Sequence, residues 1–198
     1  MGQLIVQQFV SADGFAADSD NEFTVFDGAG IASDEIDNET LARLKTVDAI
    51  VLGANTYRMF ADFWPLPASN DEILAPRINE LPKIVFSRRL ESAPWGDFDP
   101  AMVISEEATD AIRRLKEDLD GDLIVWGSLT LTEELFESDL VDIVRLVIVP
   151  TVLGAGRSVF PPTFAGTRLR VLRTGSFDAG LVAIEYEIDR DADSLSGL

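Results

Sequence analysis

Histidine and cysteine are both absent from this sequence of 198 residues. Without them there is no Cys nucleophile, no Ser-His-Asp triad, no imidazole base and no zinc site of the Cys/His kind. Catalysis falls to Asp, Glu, Tyr, Lys, Arg, bound water or a cofactor. A carboxylate-only Mg²⁺ or Ca²⁺ site stays open chemically, but the acids are scattered like a solvated surface, so no metal is expected. No run of 18 apolar residues occurs, which excludes a transmembrane helix. The start, Met1-Gly2-Gln3-Leu4, lacks the basic and apolar regions of a signal peptide, so a cytoplasmic location is expected. Positive charge is scarce: 16 basic residues face 35 acidic ones, a net charge of −19. That field repels nucleic acid and anionic membrane, and neither is an expected partner. Lysine occurs only at Lys45, Lys83 and Lys116. An Asp-rich, Lys-poor surface fits a salt-adapted protein, and it fits codon bias with ordinary solubility equally well.

What is present suits one globular domain. Its expected extent is residues 1–188, followed by a polar tail, 189–198. Short Val/Ile-rich runs read as buried strands: Leu4–Val10, Ala49–Leu52, Ile84–Phe86, Met102–Ile104, Leu123–Trp126 and Ile143–Val149. Leu169–Thr174 and Leu181–Ile188 read as an antiparallel hairpin, and the apolar strand Ile143–Val149 reads as a sheet edge that needs covering. Helices fall between them. Asp37 or Asn38 caps Glu39–Lys45. Asn55 or Thr56 opens Tyr57–Phe63, which Pro65 stops. Asn70–Leu81 reads as a helix weakened by Pro76. Ser105 precedes an amphipathic helix carrying Ala108, Ala111, Ile112 and Leu115. Ser128 or Thr130 opens a last one. This alternation predicts an α/β fold: a mostly parallel sheet, helices on both faces, antiparallel strands at the end. Ligands in such sheets lie just beyond the strands' carboxyl ends.

Three such ends are marked. Gly53-Ala54-Asn55-Thr56 after one strand and Trp126-Gly127-Ser128-Leu129 after another each place a glycine before a helix. That arrangement suits a phosphate, though for either segment alone an ordinary capped turn is the commoner cause. Ser87-Arg88-Arg89 offers a hydroxyl and guanidinium for a phosphate monoester, or surface arginines pairing with acids such as Glu91. Together the three can form one groove for an extended dinucleotide. Ser11-Ala12-Asp13-Gly14-Phe15 and the loop Pro150-Thr151-Val152-Leu153-Gly154-Ala155-Gly156-Arg157 carry turn chemistry.

These segments resemble the dihydrofolate reductase-like superfamily, most closely stand-alone proteins similar to the reductase domain of the bacterial riboflavin deaminase-reductase. The resemblance rests on Val10-Ser11-Ala12-Asp13-Gly14, Asp48 to Gly53 with Thr56-Tyr57, Phe63-Trp64-Pro65, Val85 to Arg88, Val125 to Ser128, Leu140-Val141-Asp142, Pro150 to Gly156, and Phe160. It runs from about residue 3 to residue 188. It implies a single three-layer α/β/α dihydrofolate reductase-like domain that binds NADPH and pairs into a homodimer. By that resemblance Gly53, Asn55 and Thr56 hold cofactor phosphate, Ser87 and Arg88 lie near the 2′-phosphate, and Gly127, Ser128 and Leu129 meet the pyrophosphate. Ala12, Asp13 and Gly14 then lie beside the nicotinamide and substrate. The sequence departs from the pattern where basic residues are usual, at Ala54 and Asn55. It departs again at Trp126, where riboflavin reductases carry a substrate-contacting Glu.

The resulting expectation is an NADPH-dependent reductase of a small heterocycle (pterin- or pyrimidine-like) or of a carbonyl or imine. Asp13 is the expected proton donor, with a carboxyl raised by an apolar pocket, or else a turn residue before Gly14. Phe15 and Trp64 are expected substrate walls, or core. Folate reductases carry an acid on the first helix, and Glu22, Asp27, Asp34 and Glu35 all lie in the relevant stretch. The alternative is a non-catalytic dinucleotide-binding or dimerising module on the same fold.

Overall fold

The computed structural model describes residues 2–26 and 33–190. Asp27 and residues 191–198, most of the expected tail, lie outside the described residues. The strands are β1 (Leu4–Ser11), β2 (Phe15–Ala17), β3 (Val47–Gly53), β4 (Lys83–Phe86), β5 (Met102–Ile104), β6 (Asp122–Trp126), β7 (Ile143–Val149), β8 (Arg157–Ser158), β9 (Leu169–Ser176) and β10 (Val182–Ile188). The helices are α1 (Asp34–Arg43), α2 (Ala54–Ala61), α3 (Ala75–Glu80), α4 (Ala108–Asp118) and α5 (Leu129–Glu137).

Eight strands form one sheet in the order β5-β4-β3-β6-β1-β7-β10-β9. The six strands from β5 to β7 run parallel; β10 is antiparallel to both β7 and β9. Apolar side chains leave both faces of the central strands, as full burial of a parallel sheet requires. On one face Val6, Val51 and Val125 pack against Ile112 of α4 and Leu135 and Phe136 of α5. On the other, Ile5, Ile50 and Ile124 meet Tyr57 of α2, Ile78 of α3, and Leu44 and Trp95. The fold is therefore a mostly parallel, helix-covered sheet closed by antiparallel strands. No helix among the described residues is long and apolar enough to cross a membrane.

Some expectations need correction. β7 is not an edge: it lies between β1 and β10, and the edges are β5 and β9. The first helix starts earlier than Asp37 or Asn38, because the Ser33 hydroxyl accepts the Ile36 N–H and caps it at Asp34. The stretch 70–81 is helical only from Ala75, since Pro76 fits the first turn of a helix and not its middle. The two-stranded ribbon of β2 and β8 was not signalled by local sequence.

Lys83 ties α3 to the sheet. Its ammonium donates to the carbonyls of Ile78 (3.2 Å) and Asn79 (2.7 Å) and sits 4.6 Å from the centre of the Trp95 ring. Burial nevertheless lowers its pKa to about 8, against the opposing pull of Asp99. The folded protein therefore releases this proton near pH 8, whereas the unfolded chain holds it to about 10.4. Between those values the unfolded state binds more protons, so stability rises with pH. Thermal unfolding followed from pH 7 to pH 10 should show that rise in the wild type and lose it in Lys83→Met. Identical pH profiles for the two would discard the assignment.

Candidate active site

Two helix starts converge at the carboxyl ends of β3 and β6. Gly53 opens α2 in an extended conformation, with no side chain capping the first turn. Gly127 and Ser128 both take left-handed conformations (φ 56° each) before α5, which also lacks a side-chain cap. A Cβ at Gly127 would stand 2.9 Å from Thr56 Oγ1, so both the backbone angle and the space call for glycine. The two starts are stitched together: the Gly53 N–H donates to Ser128 Oγ (2.7 Å) and the Ser128 N–H to Thr56 Oγ1 (3.0 Å). Behind them the Gln8 amide donates to the Gly127 carbonyl (2.5 Å). Two adjacent helix N-termini that leave N–H groups uncapped, with their dipoles converging, make a ready anion site.

These ends line a cavity of about 620 Å³, within the range of small-molecule sites. Six aromatic side chains stand among its walls. Phe9 meets Phe26 edge-on at 4.8 Å, and Phe60 lies 6.1 Å from Trp64 and 5.9 Å from Trp126. Two charged side chains complete the described lining, Asp37 on α1 and Arg157 at β8. Burial pushes the Asp37 carboxyl up from its ordinary value, and the negative charges of Glu72, Asp34 and Asp178 push it further. Arg157 donates to Glu133 (2.7 Å), Asn21 Oδ1 (3.1 Å) and Thr130 Oγ1 (3.2 Å).

Of the expected site residues, Gly53, Asn55, Thr56, Trp64, Gly127, Ser128 and Leu129 line this one cavity. Others are placed elsewhere. Asp13 is exposed and outside the lining, and it accepts from the Ser11 hydroxyl (2.6 Å) and the N–H groups of Leu153 (3.1 Å) and Gly154 (2.7 Å). Those bonds, the Ser11 hydroxyl first, hold its carboxyl below the usual range, the opposite of what a proton donor needs. Asp13 is a loop tie between the end of β1 and the segment after β7. Ala12 belongs to the same turn, its N–H bonded to the Thr151 carbonyl (2.7 Å). Phe15 lies outside the lining, in the β2–β8 ribbon opposite Ser158. Ser87 turns inward to accept the N–H groups of Arg89 and Leu90, and Arg88 pairs with Glu107 rather than Glu91. Neither lines the cavity.

Sequence reasoning missed Asp37, Gln7, Phe60 and Arg157 as lining residues. Arg157 ends the glycine-rich loop that was marked, so its position carried a signal. Gln7 carried a weaker one: a polar residue inside an apolar strand run.

A mostly parallel, helix-covered sheet closed by antiparallel strands is the fold of dihydrofolate reductase-like proteins. Residues 3–183 match the RibD C-terminal domain, and the chain belongs to that family. It is 26% identical over 145 residues to the protein YyaP of Bacillus subtilis, covering 72% of this chain and 75% of that one. Among solved structures it resembles a diaminohydroxyphosphoribosylaminopyrimidine deaminase/5-amino-6-(5-phosphoribosylamino)uracil reductase of Thermotoga maritima. The TM-score is 0.64 at 17% identity, covering 95% of this chain and 57% of that one. It also resembles a dihydrofolate reductase of Enterococcus faecalis complexed with NADP(H), with a TM-score of 0.60 at 13% identity, covering 95% and 97% of the two chains. Family and fold are of the reductase type.

Proposed function

We propose that this protein is an NADPH-dependent reductase of a small, flat substrate: a pterin- or pyrimidine-like heterocycle, or a carbonyl or imine. One observation carries the reading. A single aromatic-walled cavity receives two stitched, open helix starts and an acid whose carboxyl is held above its ordinary pKa. Gly53, Asn55, Thr56, Gly127, Ser128 and Leu129 hold the dinucleotide phosphates, because free backbone N–H groups and converging dipoles select an anion there. Arg88 is exposed, and an exposed ion pair such as that with Glu107 contributes little, so it can turn to a 2′-phosphate. When bound, the nicotinamide supplies the hydride. The chain does the rest. Its aromatic walls orient a flat substrate and exclude water, and Asp37 delivers the proton that Asp13 was expected to deliver. The working domain spans residues 1–188.

The test is a titration of intrinsic Trp fluorescence with NADPH, using NADH as control. Wild type should be quenched by NADPH, and Gly127→Ala should weaken that binding by about tenfold or more, the effect of one misplaced phosphate contact. A folded wild-type protein that binds neither nucleotide removes the reading.

A further inference from the structure

Gln7 and Trp126 are Cα partners on the adjacent parallel strands β1 and β6. Their side chains are 4% and 7% exposed, and both line the cavity. Trp126 Nε1 and Gln7 Oε1 are buried with no hydrogen-bond partner. This protein does pair such groups elsewhere: Trp95 Nε1 donates to Asn79 Oδ1 at 2.7 Å, and the Gln8 amide donates to the Gly127 carbonyl. A buried polar atom left unpaired carries its full desolvation penalty. Two of them, side by side and facing one cavity, mark a place where a ligand completes the bonding.

The chemistry of that ligand follows from the pair. The indole offers a donor and nothing else, while the Gln7 amide offers a donor and an acceptor. A carbonyl next to an N–H satisfies both. Among the described lining residues the sole cation is Arg157, already held by Glu133, Asn21 and Thr130. An anionic group on a ligand of this cavity falls to the helix starts at Gly53 and Gly127, which leaves the Gln7–Trp126 pair with an uncharged edge. We infer that Gln7 and Trp126 together read the amide edge of a lactam or imide heterocycle, and so select the substrate. This rests on the reductase reading of the cavity.

The probe is 2(1H)-quinolinone, compared with its N-methyl derivative, which keeps the carbonyl and loses the N–H. Titrations are followed through the indole ¹H–¹⁵N signals, with the Trp126 signal assigned by its loss in Trp126→Phe. The quinolinone should bind about tenfold or more tightly than the N-methyl compound, the worth of one hydrogen bond in a buried site. The Trp126 N–H signal should move on binding. Gln7→Leu should erase the discrimination while the Trp95 signal, bonded to Asn79, stays in place and reports an intact fold. Equal binding of the two probes, no binding of either, or a stationary Trp126 signal overturns the assignment. NADPH titrated into the same samples separates the two ideas. If NADPH binds and the probes are not distinguished, recognition fails alone. If the probes are distinguished and NADPH does not bind, the reductase reading fails alone.

Discussion

Asp37→Asn lowers reductase turnover by about 10²–10⁴-fold, the usual worth of a positioned general acid, and leaves a protein more stable at neutral pH than the wild type. The two halves come from one cause. Burial and the charges of Glu72, Asp34 and Asp178 raise the Asp37 carboxyl, so the folded state binds its proton more strongly than the unfolded chain. Folding is therefore favoured at low pH, and the contribution is lost as pH rises through the raised folded pKa. Asparagine carries no charge to desolvate or repel, so it escapes the loss. In the proposed mechanism turnover draws on the same proton. The wild-type rate should fall as pH rises through that pKa, and the Asn variant should show no such limb. NADPH oxidation, measured with whichever pterin, pyrimidine or imine the wild type reduces, gives the rate; thermal unfolding gives the stability. A variant that keeps its rate at all pH values removes Asp37 from the chemistry, whatever its stability.

Glu39→Leu destabilises the fold by about 3–5 kcal/mol, the cost of stranding a buried charge, which for a chain of this size is a fall in Tm of about 10 °C. Glu39 stands on α1 and pairs with Arg145 of β7 and, at 3.4 Å, Arg173 of β9. The Arg145 side chain is 1% exposed and its Nη1 already lacks a partner. Burial lowers its pKa against the pull of Glu39 and Glu185. Without Glu39 that guanidinium remains buried with no ion pair of its own, because Glu185 is engaged by Arg43. The double variant Glu39→Leu with Arg145→Met should recover more than half the loss, since an apolar pair of similar volume replaces a buried ion pair at little cost. Chemical denaturation of both variants decides it. A single-variant loss below about 1 kcal/mol, as for an exposed pair, sinks the argument.

The sheet was legible because its central strands are buried on both faces and so are written as Val/Ile runs. Met102–Ile104 and Ile143–Val149 fall where the sequence puts them, most others extend by one to three residues, and the last strand starts one residue later, at Val182. What a strand run does not encode is its neighbour. Nothing in Ile143–Val149 says that β10 covers its far side, which is how an interior strand reads as an edge. The short ribbon Phe15–Ala17 with Arg157–Ser158 exists only because distant loops meet. The helix start on α1 had the larger consequence. Residues 34–38 are rich in side chains that can cap, so Asp37 reads as a cap and drops out of the search for an acid. Ser33 takes the capping role, which leaves Asp37 free to face the cavity. Asp13 fails for the reverse reason. An Asp before Gly looks the same in sequence whether its carboxylate is solvated, catalytic or bonded to a loop 140 residues away. The glycine turns at Gly53 and Gly127 were readable as helix starts, because a glycine between strand and helix is a local requirement.

The order β3-β6-β1 also bears on how the protein is made. The first two long strands to leave the ribosome, β1 and β3, are never neighbours in the finished sheet; β6 separates them. Until Asp122–Trp126 has been synthesised, the centre of the sheet is an open slot with two unpaired apolar flanks. The cavity spans that slot, since it draws on Gln7, Gly53 and Gly127 at once. The cavity therefore closes late and abruptly, in a chain whose non-local pairings make folding slow and its partly made forms prone to stick to one another.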